Sequence, residues 1–144
     1  MYFVHQFKPT FREDGIFNYP DLVSGVTQIN AQVSALAPVL NSPTVSNGVT
    51  ATSSVTSVPI DTMVKQYGGF TYVFSVAMRN TATTGTFSMP GMTSGTVEVL
   101  GEGRQVTIAN GKFQDAFAGY AVHLYKITPT GDAPPAPPTN LRIQ

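Results

Sequence analysis

Arg104-Gln105-Val106-Thr107-Ile108-Ala109-Asn110-Gly111-Lys112-Phe113-Gln114-Asp115-Ala116-Phe117 decides the fold. Asn-Gly suits the two-residue hairpin turn, whose central residues both need positive φ. The runs on either side, 104–109 and 112–117, read as paired strands. Upstream, Gly68-Gly69 is a second hairpin signal, between a strand at 60–67 and one that starts at Phe70. Phe70, Tyr72, Phe74, Val76 and Met78 alternate there with Thr71, Val73, Ser75, Ala77 and Arg79. Both sets contain apolar residues, so this strand is expected to be central.

The same grammar continues outward. The Thr/Ser-rich stretch 49–58 reads as a strand with turns. Strands are also expected at 83–89 and 95–100, each closed by Gly or Pro, and at 120–127. About eight closely spaced strands with hairpin turns predict a mainly β, antiparallel β-sandwich, immunoglobulin-like or jelly-roll-like. The first 43 residues follow a different pattern. Residues 1–7 are apolar on both faces, as in a buried parallel strand. Residues 8–19 form a loop containing the polar turn Arg12-Glu13-Asp14-Gly15. Pro20 suits a first helical turn and Asp21 its positive dipole end. Leu22, Val26, Ile29, Val33 and Leu36 then recur at helical spacing, predicting a helix over 21–37 that Pro38 stops. The expected organisation is a strand–helix appendage at 1–43, a sandwich at 44–129, and a Pro-rich linker into a further module at 130–144.

A chain of 144 residues can bury roughly 70% of its unfolded surface. Only 11% of residues are charged and the formal net charge is zero, so nothing points to nucleic acid or an anionic membrane. The 18 Thr and 10 Ser, with 13 Gly and 11 Pro, favour strands and turns over helices. Cysteine is absent, which removes disulfides, CxxC redox chemistry and thiolate zinc sites. No apolar run reaches the length of a spanning helix.

Four stretches carry a resemblance. They are Gly69-Phe70-Thr71-Tyr72-Val73-Phe74-Ser75-Val76-Ala77-Met78-Arg79-Asn80, Thr84-Gly85-Thr86-Phe87-Ser88-Met89-Pro90-Gly91, Gly95-Thr96-Val97-Glu98-Val99-Leu100-Gly101-Glu102 and Tyr120-Ala121-Val122-His123-Leu124-Tyr125-Lys126-Ile127. Together they resemble the C-terminal β-sandwich that follows the TIM barrel in secreted bacterial glycoside hydrolases, over about residues 48–128. Met89 departs from that pattern, which has Leu there. The resemblance implies that residues 1–7 and 21–37 are the last barrel strand and helix, that 37–43 connect barrel to sandwich, and that the tail leads into a fibronectin type III domain. It also implies a secreted, extracellular protein whose catalytic carboxylates lie on barrel strands this chain does not contain. The function expected on that basis is a non-catalytic accessory domain bracing the barrel of a polysaccharide-degrading enzyme. The alternative is a carbohydrate-binding module, and the second alternative a stand-alone hydrolase.

Candidate site residues follow from sugar chemistry. Tyr67, Tyr72, Tyr120 and Tyr125, with Phe70 and Phe74, are rings on which a sugar could stack, with Glu102, Arg104 and Gln105 as polar partners. Period-two aromatics on a central strand also serve as core. Glu13 and Asp14 are adjacent, whereas glycosidic cleavage needs carboxyls facing each other about 5–10 Å apart, so they read as a solvated turn. His5 and His123 are isolated and supply no metal-ligand spacing; His123 reads as packing beside Tyr125. No Gly-x-Ser-x-Gly elbow is present. No cofactor is expected, although backbone carbonyls could hold a structural calcium. Unpaired strand edges at residues 1–7 predict pairing with the sandwich edge or a homodimer through that segment.

Overall fold

The computed structural model describes residues 5–129. Residues 1–4 of the expected first strand and the Pro-rich tail at 130–144 lie outside the described residues. The chain divides into two compact units, Met1–Asn41 and Ser42–Gln144.

In the first unit a 3-10 turn, Gly15–Asn18, leads into helix α1, Pro20–Leu40. Pro20 opens the helix with φ already set, and Asp21 sits in its first turn. The helix does not stop at Pro38. It runs on to Leu40, and the Asn41 N–H donates to the Ala37 carbonyl at 3.0 Å. A proline this close to the C-terminus forfeits one helical hydrogen bond, and the turn survives the loss. The described end of the expected first strand also differs from expectation. Gln6 pairs antiparallel with Arg12 in the following loop, and Phe7 is exposed.

Among its described residues the second unit holds eight strands: β1 Thr50–Ser53, β2 Ile60–Tyr67, β3 Phe70–Ala77, β4 Thr83–Ser88, β5 Ser94–Val99, β6 Arg104–Ala109, β7 Lys112–Phe117 and β8 Val122–Pro129. All pair antiparallel in one sheet of order β1-β4-β7-β6-β5-β8-β3-β2. The mainly β fold expected from the sequence is what forms. The two hairpin signals do what their chemistry requires: Gly68 and Gly69 have φ of 60° and 82°, Asn110 and Gly111 of 52° and 73°. Each pair joins its strands through a two-residue turn with both central residues left-handed. The strand expected within 49–58 is shorter, because the Val55 N–H turns to the Ser53 hydroxyl instead of a ladder partner.

The sheet folds on itself at one place. β6 and β7 pair only at Ala109↔Lys112, beside their turn, and then diverge. This corner separates a layer of β1, β4 and β7 from one of β6, β5, β8, β3 and β2. The outermost strands, β1 and β2, come back alongside each other, so the sheet is nearly closed.

Between the layers lies the core. Phe87 stacks on Phe113 with centroids 4.6 Å apart and planes 7° from parallel. Tyr125 meets both edge-on, at 5.2 and 5.1 Å. Val73, Val97, Val99, Ile108, Phe117 and Ile127 pack around them, all essentially inaccessible to water. Each such side chain contributes about 1.5–3 kcal/mol by leaving water. Gly85 on β4 is required by this packing: a Cβ there would lie 2.8 Å from Ile60 Cδ1 and 2.9 Å from Phe87 Cε2.

Candidate functional site

Alternation places an unusual set of residues on the inner faces of three strands. Arg104 shares the inner side of β6 with Ile108, Asp115 sits between Phe113 and Phe117 on β7, and His123 and Tyr125 precede Ile127 on β8. These polar groups meet where β6 and β7 diverge, and they fill the opening. The Arg104 guanidinium grips Asp115 with two parallel bonds, Nη1 to Oδ1 at 2.8 Å and Nη2 to Oδ2 at 2.7 Å. Its Nε donates to Glu102 Oε2 at 2.7 Å. The Tyr125 hydroxyl donates to Asp115 Oδ2 at 2.9 Å, and the Ala116 N–H donates to Oδ1 at 3.0 Å. Glu102 Oε1 bonds Nδ1 of His123, whose Nε2 lies 3.2 Å from the Ala116 carbonyl oxygen. The imidazole also stands edge-on to Phe117 at 4.6 Å.

The electrostatics follow from this pairing. Burial pushes the Asp115 carboxyl up, but the bonds from Arg104 and Tyr125 outweigh it and hold the group below the usual carboxylate range. Glu102 is likewise pushed up by burial and brought lower overall by His123 and Arg104. Asp115 raises the Arg104 guanidinium further, so that cation is permanent. Burial, and then the hydrogen bond to Asp115, drive the Tyr125 phenol well above its ordinary value.

Such an arrangement is a clasp between layers. Charge-assisted, bidentate bonds are the strongest of their kind, and no polar side-chain atom buried among the described residues lacks a partner. It offers no nucleophile to a base. The buried Ser75 hydroxyl donates to the His123 backbone carbonyl at 3.0 Å and not to the ring. Among the described residues no three His, Asp or Glu side chains gather to hold a metal.

Of the expected site residues, then, Glu102, Arg104 and Tyr125 come together at one end of the sandwich, with Tyr125 buried and the Arg104 and Glu102 side chains partly exposed. Tyr125 has no exposed surface and offers no ring face to a sugar. Tyr67, Phe70 and Tyr72 lie elsewhere, on the outer face of β2 and β3. Tyr67 pairs with Phe70 across the hairpin and is 48% exposed, and the Lys126 ammonium sits 4.3 Å over the Phe70 ring. Phe74 follows on the same outer face, opposite Met63, and Gln105 is exposed, opposite Glu98. Tyr120 is well exposed in the turn before β8, held at φ 59° by its N–H bond to the Arg79 carbonyl. In the first unit both Asp14 oxygens are taken by Arg12 at 3.0 Å, and His5 packs edge-on to Phe11. Asp115 was not singled out in the sequence. Its signal was a carboxylate flanked two residues away on each side by core phenylalanines.

No protein-family model, curated protein or solved structure matches the chain. Among the described residues no helix is long and apolar enough to cross a membrane.

Proposed function

We propose that this chain is a non-catalytic accessory module of an extracellular, polysaccharide-degrading glycoside hydrolase, and that it braces the catalytic barrel. The observation that carries this reading is the apolar stripe of α1. Leu22, Ile29 and Val33 are 57%, 53% and 51% exposed, a face patterned for burial yet left in water. A second bare surface supports it. Met63, Phe74, Val76 and Val122 line a shallow apolar depression of about 310 Å³ on the outer face of β2, β3 and β8. Its paired polar clasp suits a scaffold, since every group in it is occupied by another.

Adding the chain to a glycoside hydrolase barrel stripped of its own sandwich should raise the barrel's Tm. Replacing Leu22, Ile29 and Val33 together with Ser should abolish the gain. An unchanged Tm with the unmodified chain would contradict the bracing role.

A second reading, a carbohydrate-binding module, is favoured by one observation. Tyr67, Phe70 and Tyr72 share one outer face, with Lys126 beside them. Affinity electrophoresis in soluble polysaccharides tests it. Retardation that Tyr67→Ala and Tyr72→Ala remove would support it, and free migration in every polymer would end it.

A further inference from the structure

The sandwich has a second polar site, at the end opposite the clasp. There the buried cross-strand pair Val64↔Val73 is followed toward the rim by Gln66↔Thr71, with Thr71 partly buried and Gln66 exposed. An amide and a hydroxyl therefore face each other where the sandwich opens. Neither side chain is engaged by another described residue. They border a cavity of about 320 Å³, whose apolar sides come from Val45, Val64, Met89 and Met92.

These walls are built, not incidental. The Val45 N–H donates to the Val64 carbonyl at 2.9 Å, and the Met89 N–H to the Gly111 carbonyl at 2.8 Å. Met89-Pro90-Gly91-Met92 is closed by a bond from the Met92 N–H to the Met89 carbonyl at 3.3 Å, and Gly91 has φ 79°. Proline followed by a left-handed glycine is the signature of a type II turn. Such a turn brings its first and last residues within about 7 Å, and both Met89 and Met92 border the cavity. Methionine is unbranched and polarisable and adapts to the ring it meets.

The chemistry of the lining selects a ligand. Among the described residues no Asp, Glu, Lys, Arg or His borders the cavity. A charged ligand would lose hydration without gaining a counter-charge. The volume is at the low end for ligand sites, enough for one ring. An amide and a hydroxyl both donate and accept, which matches hydroxyl groups on the ligand, while the valines and thioethers suit C–H surface. We propose that this mouth binds one ring of a neutral saccharide through Gln66 and Thr71, against Met89 and Met92. Naming a saccharide among neutral polyhydroxylated molecules rests on the role proposed above.

The test is methionine-methyl NMR of the full chain titrated with glucose, galactose, mannose, xylose or arabinose, with glucuronate in a parallel arm. At least one neutral sugar should shift the Met89 and Met92 methyl signals saturably, and glucuronate should not. Thr71→Val and Gln66→Ala should each weaken binding about three- to tenfold, the worth of one neutral hydrogen bond. Tyr67→Ala should leave it unchanged. The proposal is overturned if no neutral sugar shifts either methyl up to about 50 mM, a concentration that would reveal even millimolar affinity. Equal binding of glucuronate, or shifts confined to Met63 and Met78, would overturn it too. The barrel-stabilisation measurement reads neither methyl group, so a chain that steadies the barrel yet binds no sugar defeats this proposal alone.

Discussion

The two ends of the sandwich both finish in polar side chains, and they use that polarity in opposite ways. At the clasp, Asp115, Arg104, Glu102, His123 and Tyr125 are saturated by one another. At the mouth, Gln66, exposed at the rim, and Thr71 opposite it have no described side chain to answer them. Residue type alone would rank the clasp as the active end, because it holds the charges and the histidine. Pairing reverses the ranking. A polar group bonded to its neighbours stabilises the fold, and a group at a cavity whose partner is water is available to a ligand.

That contrast is best broken at the clasp. Asp115→Ala leaves the Arg104 cation and the Tyr125 hydroxyl without their shared acceptor. It should lower the free energy of unfolding in urea by about 3 kcal/mol. A loss under about 0.5 kcal/mol, the range of an ordinary surface substitution, would mean that the clasp holds nothing together.

Acid should act on the same end. Asp115 and Glu102 both have folded values below their unfolded ones. Their contribution is therefore complete above the unfolded carboxylate range, near pH 4 and upward, and is lost as the pH falls through their lower folded values. Urea midpoints measured from pH 6 down to pH 2 should fall most steeply in the acidic part, and less so in Asp115→Asn. An equally steep fall in that variant would assign the acid sensitivity elsewhere.

Packing around the clasp comes next. Gly85 lies opposite Asp115 in the β4–β7 register, and a methyl there would strike Ile60, Phe87 and Phe117. Gly85→Ala should cost about 2 kcal/mol by overpacking. Tyr125→Phe removes one hydrogen bond and no volume, and should cost about 1 kcal/mol. The smallest effect belongs to the other end. Thr71→Val deletes a hydroxyl that no described residue uses, so stability should move by less than about 0.5 kcal/mol. A larger loss would show that the mouth, too, is structural.

Much of the fold was legible because turns are local. Gly68-Gly69 and Asn110-Gly111 fixed two hairpins, and with them the limits of β2, β6 and β7. Pro38 misled, because the cost of a helical proline depends on how many turns follow it, and here almost none do. The site was less legible. Arg104 and Glu102 stood out as charges in a chain with few, and Tyr125 as an aromatic, but nothing along the chain ties them to Asp115 eleven residues after Arg104. Their meeting depends on where β6 and β7 diverge, which is a property of the folded sheet. The mouth was hidden for a related reason: Gln66 and Thr71 are unremarkable until the register sets them opposite each other at the last open position.

The return of β1 alongside β2 has a further consequence. Open sheets end in rows of unused N–H and C=O groups that recruit strands from other molecules. Here the two terminal strands shelter each other, and Thr44 bridges to Lys65 on the free side of β2. These two edges thus offer other chains little room to add a strand, a protection against fibrillar aggregation that suits a domain with little charge to keep its copies apart.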